Sequence, residues 1–274
     1  MVKERSDSES SDDGPLVNDN TGETLNFEFE AFSIGEENIV GINNLLTQIF
    51  LNNNFINIEE LAKHIAKSSQ NYGHVIQLAE EAVTNDDDAE MIFALSTILN
   101  ISTNDDIITR LKEFICHKLT SKNTIINQNE KDKFLNFLKS NENSLGLFIN
   151  ERWLNMPQQL AVSCLQNLLT ETDKIRTFKG MHLISFLKIY INENDGGKKN
   201  DANVMYANTE EKYIFDVVKN FPYFDYPVYS EIDADSKFAS KIINGKTFKP
   251  YRRIITFPYD MLHDLATVIQ IEEV

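Results

Sequence analysis

Cysteine is scarce: Cys116 and Cys164 are the only two in 274 residues, which excludes a disulfide framework and suits a reducing compartment. Neither reads as reactive. Cys164 lies on the apolar stripe Leu160, Ala161, Cys164, Leu165, Leu168, the place of a small core residue. Cys116 adjoins His117, and on a helix two neighbours point roughly 100° apart, poorly placed to act as nucleophile and base. Glycine is also sparse, at ten, and no Gly-x-x-x-x-Gly-Lys-Ser/Thr or Gly-x-Ser-x-Gly occurs, so neither a P-loop nor a nucleophile elbow is encoded. His64, His74, His117, His182 and His263 are scattered, at no metal-ligand spacing. No catalytic residue, metal or cofactor is expected. Long apolar runs are missing too: no window approaches the roughly 18 residues of a membrane span, and the first residues carry no apolar signal-peptide core. The expectation is a soluble intracellular protein with no membrane partner.

Positive charge is the other deficit. Lysine and arginine number 26 against 42 acids, a net charge of −16, which argues against wrapping nucleic acid and favours a basic partner reached by electrostatic steering. Residues 1–24 contribute seven acids against two bases, with serines at 6, 8, 10 and 11 and almost nothing to bury. They are predicted to be a disordered acidic tail. Ser6 and Ser10 each have an acid three residues on, a context for acidophilic phosphorylation that would add about −1.5 to −2 charges per site.

What is abundant is apolar and aromatic: 42% hydrophobic residues, with 18 Phe and 9 Tyr, are ample for a core. After the tail, helical and strand periodicities alternate. Leu25, Phe27, Phe29 and Ala31 against Asn26, Glu28 and Glu30 predict a strand with one wet face. The two glutamates share that face, as solvent-side groups rather than a catalytic pair. Ser33 with Glu36 suggests a capping box before a helix through Ile39 to Phe50. Further helices are predicted from Ile58 to Lys67 behind Asn57, through 107–119, near 131–139, from Pro157 to Thr170, and from Asn208 or Thr209 to Lys219. Strands are predicted at 73–78, 91–99, 183–191, 204–206 and 253–257, with turns at Asp86–Asp88 and Asn194–Gly197 and a last helix opened by Pro258. Interleaving of this kind predicts one α/β domain over 25–274, with a mixed central sheet flanked by helices.

The most telling stretch runs from Leu145 to Pro157. Apolar residues continue from Leu145 to Ile149 save for Gly146, which predicts a strand covered on both faces. Glu151 and Arg152 then cannot follow it inward without partners, because an unpaired buried charge costs several kcal/mol. They read as a structural ion pair pinning the turn or as a client contact, with Trp153, the only tryptophan, as arbiter.

Two further segments are candidates for contacts. From Ser236 to Arg253 no acid occurs, while Lys237, Lys241, Lys246, Lys249, Arg252 and Arg253 interleave with Phe238, Phe248 and Tyr251. Of these, Lys246, Lys249, Arg252 and Arg253 are the candidate polyanion contact. A solvated basic edge, or docking on the acidic tail, would explain the same residues. The run Phe221–Tyr229 is dense in rings beside Pro222 and Pro227, and Tyr223 and Tyr226 are its candidate partner contacts, since rigid aromatics give contact area at small entropy cost.

Six segments together resemble the BCCIP family of eukaryotic proteins. They are Leu25–Phe32, Gly41–Phe50, Gly73–Gln77, the run ending Glu151-Arg152 and Met156-Pro157-Gln158, Tyr206–Glu211, and Pro250–Pro258. The resemblance implies an acetyltransferase-like α/β fold without the acetyl-coenzyme A site, and the sequence agrees in lacking Arg/Gln-x-x-Gly-x-Gly/Ala; Arg176–Gly180 fails that spacing. It also implies a non-enzymatic adaptor of the nucleus and cytoplasm. Such an adaptor acts as chaperone to a basic large-subunit ribosomal protein, supports ribosome biogenesis and protein transport, and in animal forms has cell-cycle and recombination partners. Residues 197–201 keep only two lysines where many relatives are lysine-rich, and the stretch after Pro227 diverges. The rivals are an atypical N-acetyltransferase and an RNA binder using 237–253.

Overall fold

The computed structural model describes residues 28–51, 53–79, 91–192, 203–233 and 236–272. Residues 1–24 with Ser6 and Ser10, the Asp86–Asp88 turn, the Asn194–Gly197 loop and the two lysines that follow it, Lys198 and Lys199, lie outside the described residues.

Strand β1 (Phe29–Ser33) leads through a 3-10 turn into α1 (Ile39–Phe50), then α2 (Ile58–Ser68), β2 (His74–Leu78) and β3 (Ala94–Asn100). Helices α3 (Asp106–Thr120) and α4 (Gln128–Ser140) precede β4 (Leu145–Arg152), α5 (Gln158–Thr172) and β5 (His182–Ile191). The chain finishes with β6 (Val204–Tyr206), α6 (Thr209–Val218), β7 (Tyr223–Pro227), β8 (Lys241–Ile243), β9 (Lys246–Pro258) and α7 (Met261–Glu272). The sheet runs β1-β2-β3-β4-β5-β9-β7, with β6 beside β5 and β8 beside β9. Among the described pairings only β4 with β5 is parallel, so the sheet is mixed, as expected.

Period-two alternation sorts the sheet's side chains between two cores. Leu145, Leu147 and Ile149 of β4, Ile184 and Phe186 of β5, and Phe224 and Tyr226 of β7 pack under α1 to α4. Phe148, Leu183, Leu187, Ile255 and Phe257 pack under α5 to α7. The break in the apolar run at Gly146 has a steric cause: a Cβ there would lie 2.7 Å from Met181 Sδ and 2.9 Å from Ile98 Cγ2.

Several boundaries differ from the sequence reading. Ser33 ends β1 instead of capping a helix, and the turn before α1 is closed by Asn38, whose Oδ1 accepts from Gly35 N at 2.8 Å. Asn57 does cap α2, accepting from Glu60 N at 3.2 Å. Pro157 stands at the N-cap of α5, one residue outside the helix, and Pro258 is the last residue of β9, three before α7. The strand expected at 253–257 begins at Lys246 and is 13 residues long. Its start is set by a two-residue turn, Asn244-Gly245, with φ of 51° and 74°, the left-handed pair that a tight hairpin needs.

Candidate functional site

The parallel pairing of β4 with β5 stops at Phe148 and Ser185. Farther along, β6 takes that flank of β5 through Ile189 and Tyr206, and the strands part. The first turn of α6 stands in the gap. Arg152 forks onto Glu210, with Nε to Oε1 at 2.7 Å and Nη2 to Oε2 at 3.0 Å. Glu211 accepts from the backbone N–H groups of Lys188 and Asn208, both at 3.0 Å, and the Lys188 ammonium bonds Glu151 and lies 3.3 Å from Glu211.

Two arginines of β9 extend the cluster to opposite faces. Arg252 caps the end of α1, donating to the carbonyls of Ile49 at 3.0 Å and Gln48 at 2.8 Å, where the helix dipole favours a cation. Arg253 forks onto Asp225 at 2.7 and 2.9 Å, donates to Tyr206 Oη at 2.8 Å, and lies 4.1 Å from the Phe215 ring centre. All eight charged side chains are at most 5% exposed. Burial pushes the Glu151 carboxyl up to about 7, against the opposing pull of Lys188 and with further push from Glu211. Glu211 is raised for the same first reason. Burial alone would lower the Lys188 ammonium, and the two carboxylates more than reverse it.

This is a structural network, four carboxylates against four cations, tying β4, β5, β7, β9, α1 and α6 together. The space between the splayed strands is taken up by the Glu210 and Glu211 side chains and the groups that hold them, Arg152, Lys188 and the amides of Lys188 and Asn208.

The geometry corrects the expected contacts. Glu151 and Arg152 are not paired with each other, since adjacent strand residues face opposite ways; each has its own distant partner, and burial removes both from a client's reach. Arg252 and Arg253 are internal, which ends their role in a polyanion contact. Of the remaining lysines, Lys246 is exposed and Lys249 is half-buried, 5.1 Å from the Tyr229 ring centre. The aromatic run is strand β7: Tyr226 is buried with Lys118 4.8 Å over its ring, and Tyr223 is half-buried against Phe215 and Arg253. The exposed ring of that run is Tyr229, at 42%.

Of the three residues expected at the end of β4, Glu151, Arg152 and Trp153, only the tryptophan remains within a partner's reach. Half-buried at the end of β4, it donates Nε1–H to the Ile92 carbonyl at 2.8 Å and lines a cavity of about 370 Å³ with Thr47 and Gln48 of α1 and Glu231, Asp233 and Lys237 of the loop after β7. The role of that loop was not legible from its composition, because the cavity forms only where it meets α1. Among the described residues no three metal-ligating groups converge, and no helix is long and apolar enough to cross a membrane.

Comparison with known proteins agrees with this architecture. The BCCIP family model matches residues 24–214. A Mus musculus protein named BRCA2 and CDKN1A-interacting protein is 27% identical over 265 residues, covering 90% of this chain and 80% of its own. A Drosophila melanogaster protein, named Protein BCCIP homolog, is 28% identical over 263 residues, covering 90% and 84%. The crystal structure of BCP1 from Saccharomyces cerevisiae superposes with a TM-score of 0.55 at 15% identity, covering 92% of each chain. With a family match over most of the folded chain and the same fold in a solved structure, the chain belongs to the BCCIP family.

Proposed function

We propose that this protein is a non-enzymatic adaptor and chaperone that holds a basic large-subunit ribosomal protein, works in the nucleus and cytoplasm, and supports ribosome biogenesis and transport. One observation carries the reading. Among the described residues the buried charges cancel, four against four, so the net −16 falls on the rest of the chain, where it serves an encounter rather than the fold. Such a surface lowers a basic client's nonspecific attraction to RNA and speeds its capture. The names of mammalian relatives mention BRCA2 and CDKN1A, and partners of that cell-cycle or recombination kind are a second arm of the same adaptor role. RNA binding through 237–253 is disfavoured by the burial of Arg252 and Arg253.

The test is calorimetry and pull-down with purified large-subunit ribosomal proteins. A stoichiometric complex whose affinity falls steeply with salt is expected. Finding no salt-sensitive client among them would sink the proposal.

A further inference from the structure

The Trp153 cavity is built to take a cation, and one already stands in it. The Lys237 ammonium lies 5.0 Å from the Trp153 ring centre and 5.6 Å from that of Phe238, on a surface loop that also contributes Glu231, held by Lys118 at 2.5 Å, and the exposed Asp233 to the wall. An indole face attracts a cation through its quadrupole, more strongly as water is removed. An indole face beside the exposed Asp233 carboxylate matches the guanidinium of arginine, which offers a planar face and several N–H donors, or the ammonium of lysine.

We infer that this cavity is the recognition pocket for an arginine or lysine side chain of a basic protein partner, and that Lys237 is an internal occupant which the partner's side chain displaces. The inference rests on the adaptor reading above and adds to it a site and a built-in competitor. Steering by the wider acidic surface would bring many basic proteins near; only one whose cation reaches the Trp153 ring would evict Lys237 and stay.

The chain has one tryptophan, so its single indole N–H resonance reports this pocket without ambiguity. The probes are an arginine-glycine peptide, the same peptide with citrulline for arginine, and the ribosomal proteins used above. Binding of the arginine peptide or of a ribosomal protein should move the indole resonance saturably, in step with calorimetry, while the citrulline peptide should leave it in place. Lys237→Ala, which removes the competitor, should tighten binding by roughly 2- to 10-fold. Asp233→Lys, at the exposed rim, should weaken it by roughly 3- to 10-fold. Both variants are on the surface and leave the fold intact. If a basic partner binds by calorimetry while the indole stays still and Lys237→Ala binds no tighter, the pocket is wrongly assigned and the adaptor reading stands. If neither the peptide nor any basic ribosomal protein binds, both fail together.

Discussion

Glu151 and Glu211 share one ammonium, that of Lys188, and this sets a pH dependence. Because the Glu151 carboxyl is raised from 4.5 to about 7 in the folded protein, the folded state holds a proton between those values that the unfolded chain has released. The associated stability is full below about pH 4.5 and is lost as pH rises through about 7. Wild-type protein should therefore lose on the order of 1 to 3 kcal/mol between about pH 5 and about pH 8, and Glu151→Gln should flatten that slope. Urea midpoints at the two pH values measure it; equal slopes in both proteins would refute it. Arg252 invites a second prediction. Truncating it to Ala strips Gln48, Ile49 and Tyr251 of a donor and should cost about 3 to 5 kcal/mol, read as a lowered urea midpoint. Lys246→Glu, on an exposed side chain, should stay within about 0.5 kcal/mol of wild type. The two residues looked alike in the sequence because an arginine's burial is decided by partners far away, here 203 and 204 positions along the chain.

At the scale of elements, the run from Leu145 was readable because a strand buried on both faces is apolar throughout, and the amphipathic helices because each shows a single apolar stripe. Strand β7 was not readable. Its Asp225 interrupts the apolar pattern and is satisfied by Arg253 on the neighbouring strand β9; likewise the start of β9 is polar and owes its pairing to the Asn244-Gly245 hairpin. The gap between β4 and β5 was also hidden, since nothing local to Glu211 shows that its carboxylate replaces a strand neighbour. That role is testable. Glu211→Ala removes the acceptor for the Lys188 and Asn208 amides, so hydrogen exchange at those two amides should quicken by at least about tenfold and the protein lose about 2 to 4 kcal/mol. Glu211→Gln, which keeps an acceptor, should restore a large part of the protection. Unchanged exchange in the alanine variant would show that β6 and α6 hold the gap without it.

For the whole molecule, the division of charge matters more than its total. The buried network cancels within itself, so it governs stability and pH response and contributes little to the far field. The exterior and residues 1–24 carry the surplus, and the first 24 residues supply seven acids against two bases within a net −16. If the tail acts by steering, its effect belongs to association and not to the lifetime of the complex, because long-range attraction acts before contact and is screened within roughly 8 Å at physiological salt. Replacing the seven tail acids with Asn and Gln should therefore slow association with a basic client by about 3- to 10-fold at low salt, change dissociation by less than about twofold, and lose its effect as salt is raised. Phosphorylation of Ser6 and Ser10 adds charge of the same sign and should act in the opposite direction on the same rate. Stopped-flow mixing at several salt concentrations separates the two rates. An unchanged association rate with faster dissociation would place the tail in the bound interface, where it would share the client with the Trp153 pocket.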